Sequence, residues 1–425
     1  MKKNNFDSEK IFSLINPPKE EIKEMNSTLD NFLVRIEKRI KEKKREVNVF
    51  VGGSFSKGTV TKKEIYDADV FFRYEKKIPE KSFFELTKKI LSKEKNVEII
   101  HGSRDYFRIK FNDKFFIEII PVRKISNPEK AENITDLSYL HVKYLNKKIK
   151  DKKLLEEIKI AKAFCIANNF YGAESYIQGF SGYSLELLIL YYGNFTKMLK
   201  GLIKVKEDKL IIDIEKFYKK KNEIFLEINE SKLVSPIILI DPTYKTRNAL
   251  AALSEQTFRD FQKVAENFLK NPSEKYFEKK KVDLELIKKK ALKSKKEFEL
   301  FEIKTFKQEG DIAGTKLLKF YKHFLKEVSK YFNVSKKGFN YNLKKSARFF
   351  IVASRKKELI ISGPFISDKE SCVRFCKEHS NVFEKKGKTF ARELENFSLK
   401  EFFEKWKKKN SQKIKEMYVE EFYVA

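Results

Sequence analysis

Two aspartates one residue apart, Asp67 and Asp69, open an apolar segment that continues from Ala68 to Tyr74. On a β-strand, residues i and i+2 point to the same face, so these carboxylates share one. Two carboxylates on one face repel each other, which is hard to justify without cations between them. Magnesium is the natural candidate, because it favours carboxylate oxygen and substrate phosphate together. Upstream, the apolar stretch Val47 to Val51 runs into Gly52-Gly53-Ser54. The glycines permit a tight strand-to-helix turn, in which backbone N–H groups and the Ser54 hydroxyl could face a triphosphate. Downstream, Glu118 interrupts the otherwise apolar stretch Phe115 to Val122. A lone acid in such a strand should face something polar or metallic. If that strand lies beside the first, three carboxylates converge. A bare Asp-x-Asp also fits an ordinary exposed strand face or turn; the Gly-Ser turn and Glu118 tilt the reading to metals. Two ions about 3.5–4 Å apart could then activate an attacking hydroxyl and stabilise a leaving pyrophosphate. Phosphoryl transfer needs little else, since it rests on positioning and charge neutralisation.

The flanking pattern predicts an α+β domain around this trio. Apolar residues at three- and four-residue steps (Ile22, Met25, Leu29, Phe32, Leu33, Ile36, Ile40) predict a helix over 18–46. A helix is expected over 80–94, and strands over 97–100, 107–111 and 115–122, the last two joined by a turn at Asn112-Asp113. The sheet should be largely antiparallel or mixed. Residues 135–200 read as mostly helical, with an amphipathic stretch over 154–168 and one long apolar helix over 183–199. A strand-and-loop excursion over 201–240 ends in the apolar run 236–240. Asp241-Pro242 then marks a turn before a helix over 248–269. The lysine-rich stretch 270–296 holds a domain boundary or an exposed helix. Beyond it the order is strand 298–306, helix 313–332, strands 347–353 and 358–362, helix 368–379. That β-α-β-β-α order suggests a small third domain with a sheet backed by helices.

At roughly 100–200 residues per domain, 425 residues suggest two to four domains. Lys+Arg total 92 against 61 Asp+Glu, a net charge of +31. A surplus that large favours polyanions and phosphate contacts, although a lysine-rich solvated surface would look the same. Cys165, Cys372 and Cys376 lack metal-type spacing, and the four histidines are scattered. A disulfide framework and a histidine zinc site are therefore not expected. The first ten residues carry no signal-peptide apolar run, and no window approaches ~18 consecutive apolar residues, so a cytoplasmic location without a membrane span is expected.

The combination Gly52-Gly53-Ser54, Asp67-Ala68-Asp69-Val70 and Glu118 resembles the nucleotidyltransferase superfamily that includes DNA polymerase β. The closer resemblance is to the archaeal, class I CCA-adding enzymes (tRNA nucleotidyltransferases). It covers most of the chain. It runs through the turn Gly53 to Thr59, the segment Asp136 to Tyr144 containing His141, Tyr171-Gly172-Ala173-Glu174, Gly179 to Leu188, and Asp241-Pro242 with Arg247-Asn248-Ala249. Gly363-Pro364 and the 368–379 helix fit more loosely.

The resemblance implies three parts: a palm-like nucleotidyltransferase sheet domain over 1–135, a mainly helical nucleotide-base and primer-binding domain over 136–270, and a C-terminal α/β tRNA-binding domain over 271–425. It implies addition of CMP and AMP from CTP and ATP to the tRNA 3′ end, with two Mg²⁺ ions on Asp67, Asp69 and Glu118. Gly53, Ser54 and Lys57 would bind nucleotide phosphates. His141, Lys162 and Tyr171 would contact triphosphate and sugar, and Arg247 the base edge. By residue type alone, His141 could be a core or surface histidine, Lys162 a solvated helix residue and Tyr171 a packing aromatic. Arg247 could cap its turn or pair with Asp241. The tRNA acceptor stem and T-arm end would meet Lys344, Lys345, Arg348 and Arg355, with Lys356 and Lys357, while Phe339 and Tyr341 could stack on a terminal base or pack in the core. The family often dimerises, so a homodimer is also implied. Three positions depart from its pattern: Lys57 for arginine, Glu118 for aspartate, and Leu137 for the arginine that commonly follows the Asp136 position. Other expectations in play are a poly(A)- or uridylyl-type tailing enzyme and a non-catalytic RNA-binding relic of the fold.

Overall fold

The computed structural model describes residues 8–43, 46–102, 104–279, 282–356, 358–393 and 397–425. The chain divides into two compact units, 1–280 and 281–425. The first begins with helices α1 (Ser8–Ile15) and α2 (Lys19–Glu42). A mixed sheet follows: β1 (Val47–Val51), one helical turn α3 (Gly53–Ser56), β2 (Tyr66–Tyr74), α4 (Phe83–Leu91), β3 (Val97–Ile100), β4 (Tyr106–Asn112) and β5 (Phe115–Arg123). The strand order is β1-β2-β5-β4-β3, with β2 and β5 parallel and every other neighbouring pair antiparallel. The α2 stripe buries Met25, Leu29, Phe32, Ile36 and Ile40 against inward residues of the sheet, including Tyr66, Ala68, Val70, Ile117 and Ile119. Each large apolar side chain so buried is worth roughly 1.5–3 kcal/mol, which sets which face of β2 and β5 is core.

The rest of the unit is helical around a small sheet: α5 (Ser138–Lys148), α6 (Lys152–Ala167), α7 (Gly182–Tyr192), α8 (Phe195–Leu202), β6 (Leu210–Ile212), α9 (Lys221–Glu227), β7 (Ile237–Asp241), β8 (Tyr244–Asn248) and α10 (Glu255–Lys270). The single helix expected over 183–199 is two. Gly193 ends α7 in the left-handed conformation, and the Asn194 side chain accepts from the Lys197 amide to start α8. The helix expected from 248 starts only after Ser254, whose side chain caps α10, while 244–248 form a strand.

The second unit contains α11 (Leu284–Lys293), β9 (Glu297–Thr305), α12 (Asp311–Tyr331), β10 (Phe332–Tyr341), β11 (Ser346–Arg355), β12 (Leu359–Phe365), α13 (Lys369–Glu378), β13 (Val382–Lys385), β14 (Lys388–Glu393), α14 (Leu399–Lys409), α15 (Ser411–Glu416) and β15 (Val419–Val424). One sheet runs β10-β11-β9-β15, and a second β12-β14-β13. Helices α12 and α14 bury Phe320, Phe324, Phe402 and Trp406 with Phe301, Phe349 and Phe422 of the first sheet. On its other face α11 sets Ile287 and Ala291 with Phe350 and Val352. Among the described residues no helix is long and apolar enough to cross a membrane.

Candidate active site

The core pattern of β2 and β5 aims the acids. Tyr66, Ala68 and Val70 are buried, and so are Phe115, Ile117 and Ile119, which leaves Asp67, Asp69 and Glu118 on the opposite face. Parallel pairing places Glu118 directly across from Asp69. The turn after β1 lies against them: the Gly52 amide donates to the Asp69 carbonyl at 2.8 Å. Gly53 has φ +59°, and a Cβ there would stand 1.8 Å from Asp69 Oδ2, so only glycine fits.

Each outer acid has a cation from the chain itself. Asp67 Oδ1 accepts from Lys63 Nζ at 3.0 Å. Glu118 Oε1 accepts from Arg108 Nε at 3.0 Å and Nη2 at 2.7 Å. Among the described residues the three acids do not gather into a ready-made cage for an ion. Asp69 has no such ion pair among the described residues. It keeps some exposure but sits deep among protein atoms. Burial, then the Asp67 and Glu118 charges, push its carboxyl up to about 7. Glu118 is also raised, burial outweighing the Arg108 contact. A divalent cation, with oxygen donors crowded and short of positive charge, fits this face.

A second cluster is built on Glu186. Its side chain, buried in α7, accepts from Lys57 Nζ at 2.6 Å and Lys162 Nζ at 2.7 Å. Lys162 also donates to Thr59 Oγ1 at 2.7 Å. Lys162 is 3 % exposed, so it is not a solvated helix residue. Burial lowers it to about 8 despite Glu186, while the two lysines outweigh burial at Glu186 and hold it below the usual carboxylate range. The Tyr171 hydroxyl stands where a Cβ on Gly182 would approach at 2.7 Å, and the same Cβ would meet the Lys162 side chain at 3.7 Å. Burial raises Tyr171, and Glu186, Asp67 and Asp69 add to that rise. Tyr171 therefore lies electrostatically between the two clusters.

The third cluster surrounds Asp241, 0 % exposed at the end of β7. Its carboxylate takes His141 Nε2 at 3.0 Å, the Tyr183 hydroxyl at 2.9 Å, Arg247 Nη1 at 2.6 Å and the Thr243 amide at 2.8 Å. His141 stacks on Tyr183 with ring centres 3.9 Å apart. Burial keeps His141 below its ordinary value, so its ring is neutral near pH 7, although the Asp241 contact works the other way. Arg247 thus takes the pairing with Asp241 that its position allowed. Lys57 links the clusters, since its charge acts on Asp69, Glu186 and His141 alike.

Lys63, Arg108, Glu186 and Asp241 were not among the residues expected to carry site roles. Glu186 was legible by the argument applied to Glu118: it is the lone acid of Leu185 to Leu190. In the second unit, Lys344, Lys345, Arg348 and Arg355 are exposed, and Arg348 pairs with Glu302 at 2.8 Å. Tyr341 donates to the Gly310 carbonyl at 2.8 Å, and Phe339 packs on Tyr321, so both belong to the fold. Lys357 lies outside the described residues.

Residues 156–278 match the family described as tRNA nucleotidyltransferase, second domain. Over 244 residues the chain is 41% identical to the CCA-adding enzyme of Nanoarchaeum equitans, covering 57% of this chain and 59% of that protein. The CCA-adding enzyme of Methanocaldococcus jannaschii is 29% identical over 395 residues, 90% of this chain and 85% of its own. By sequence, the chain is similar to archaeal CCA-adding enzymes. Against that of Saccharolobus solfataricus identity is 32% over 280 residues, 65% and 62% of the two chains. The match thus spans about three fifths of the Nanoarchaeum and Saccharolobus relatives' length. Among solved structures, a poly(U) polymerase overlays on 64% of this chain and 98% of its own, with TM-score 0.49 and 13% identity.

Proposed function

We propose that this chain transfers CMP and AMP from CTP and ATP to the 3′ end of tRNA without a nucleic-acid template, releasing pyrophosphate. The observation that carries this is the register of Glu118 against Asp69 beside Asp67, on the face opposite the core. Two magnesium ions held by these acids would acidify the attacking 3′-hydroxyl and neutralise the departing pyrophosphate. The chain's own groups do the rest. Lys57 and Lys162, held apart and oriented by Glu186, neutralise triphosphate charge. The Tyr171 hydroxyl, beside Lys162, is available to the sugar or phosphate. Among the described residues Arg247 makes one hydrogen bond, from Nη1 to Asp241, and its remaining guanidinium donors suit it to read the edge of a base. His141, neutral and fixed against Tyr183, offers a nitrogen whose protonation state is set by Asp241.

In the second unit, exposed Lys344, Lys345, Arg348 and Arg355 are the proposed contacts to the backbone of a short A-form stem, which proteins read through phosphate, 2′-hydroxyl and shape. The working form is proposed as a cytoplasmic enzyme, with a homodimer compatible. The test is incorporation of labelled CTP and ATP, separately and together, into tRNA lacking its last three nucleotides, with and without magnesium. Magnesium-dependent growth by two C and one A, then a stop, is expected. Unlimited growth with one nucleotide would instead indicate a tailing polymerase. Bound tRNA without any growth would indicate an RNA-binding relic.

A further inference from the structure

The acids that face one another across β2 and β5 are not equally free. Arg108 stands directly across from Glu118 on β4, and Glu98 directly across from Arg108 on β3. Residues opposed in an antiparallel sheet share a face and sit close enough for side chains to meet. Three strands therefore present Glu118, Arg108 and Glu98 in one row. In that row the guanidinium is turned to Glu118, with Nε and Nη2 both on Oε1 at 3.0 and 2.7 Å. Arg108 also lies over the Phe116 ring, 5.5 Å from its centre. Charge-assisted contacts of this kind are roughly twice as strong as neutral ones. The pair is partly buried, at 33% and 17% side-chain exposure, against 32% and 42% for Lys63 and Asp67. Solvent screens the second pair more, so Arg108 is the stronger internal counter-ion.

We infer that Arg108 is a positioning residue that occupies Glu118 in the metal-free protein and must release it before Glu118 can ligate an ion, with Glu98 as the carboxylate that receives the guanidinium. This rests on the reading of Asp67, Asp69 and Glu118 as metal ligands. It explains why the three acids lie in neighbouring register yet form no ready cage among the described residues. The arrangement makes ion binding at Glu118 an exchange of one cation for another, so the protein's affinity for metal without nucleotide is held down. An arginine that merely braces Glu118 for metal would have the opposite consequence, because its loss would loosen a ligand.

Binding of Mn²⁺ to the full chain, without nucleotide or RNA, separates these roles. Free Mn²⁺ is counted by electron paramagnetic resonance, and thermal melting checks that each variant is folded. R108A is expected to bind Mn²⁺ about tenfold more tightly than the wild type, as loss of a charge-assisted competitor implies. R108K keeps the charge but not the fork of donors, and should fall between them. E98Q, which removes the receiving carboxylate, should weaken binding several-fold. Lys110 lies two residues along β4 and pairs with Asp113, so K110Q removes a nearby charge without touching Glu118 and sets the size of a plain charge effect. Binding in R108A that is weaker than wild type, or no tighter than in K110Q, overturns the inference. D69N distinguishes the two layers of the argument. Lost binding in D69N with no gain in R108A overturns the exchange alone. Unaltered binding in both overturns the metal site and the exchange with it.

Discussion

The buried acids of the helical layer and the acids of the sheet face meet opposite fates. Glu186 and Asp241 are each 0 % exposed, and each is surrounded by donors: two lysines for the first, arginine, histidine, tyrosine and a backbone amide for the second. Both are held below the usual carboxylate range. Asp69, also deep, is pushed up to about 7, because burial raises it and the charges of Asp67 and Glu118 add to that rise instead of offsetting it. A carboxylate compensated by the chain organises other side chains. One left short of positive charge is a place for something the chain does not supply. The same residue type thus serves as scaffold in one place and as the proposed metal ligand in the other, and charge balance tells them apart.

The comparison breaks most visibly at Asp69. D69N should lower nucleotide incorporation by about 10³-fold or more, since an uncompensated ligand is lost, while the metal-free protein melts no lower than wild type. A lower melting temperature would mean that Asp69 is structural after all. E186Q should do the reverse. Removing one partner of a buried ion pair costs roughly 3–5 kcal/mol, so its melting temperature should fall well below wild type, with a raised KM for nucleotide among the molecules that fold. Wild-type stability and KM together would contradict the scaffold role.

pH separates the two kinds of acid with opposite signs. Asp69 is raised in the folded chain, so its contribution is present below the ordinary value of 3.8 and is lost as pH rises through about 7. Metal-free protein should therefore lose stability from this group between pH 4 and 7, Mg²⁺ should restore it at pH 8, and D69N should flatten that limb. Glu186 is lowered, so its contribution is present above the ordinary value of 4.5 and is lost on acidification below it. Melting curves across pH 3 to 8, with and without Mg²⁺, read both limbs. The smallest effect is expected at Arg348. Its pair with Glu302 leaves the arginine 65% exposed, so R348A should change stability by about 0–1 kcal/mol. If Arg348 meets a phosphate, the salt slope of tRNA binding should fall by about one unit.

The first sheet was legible because its strands carry long apolar runs. Phe115–Arg123 and Tyr66–Tyr74 lie within two residues of the pattern-based bounds, and α2 shows its stripe in the sequence. Strand β10 was not legible. Phe332–Tyr341 is an edge strand rich in lysine and asparagine, and an edge buried on one side needs few apolar residues. The hairpin of β13 and β14, and the segments α14 to β15, went unread for a related reason: lysines dilute their apolar positions. The split of α7 from α8 turned on one left-handed glycine inside an apolar stretch.

Residue types and local spacing by themselves determined the two-aspartate face, the glycine turn against it, the third acid in an apolar strand and the surplus of positive charge. Each depends on the period of a strand, the freedom of glycine or a simple count, and these are properties of neighbouring residues. Tertiary structure decided which cation sits on which acid: Arg108 on Glu118, Lys63 on Asp67, Lys57 and Lys162 on Glu186, His141 and Arg247 on Asp241. Half of those pairs join residues between 24 and 129 positions apart, and a salt bridge leaves no periodic trace in sequence. Their pairing follows from strand register and helix packing, and through them so does the balance of charge that raises the Asp69 carboxyl.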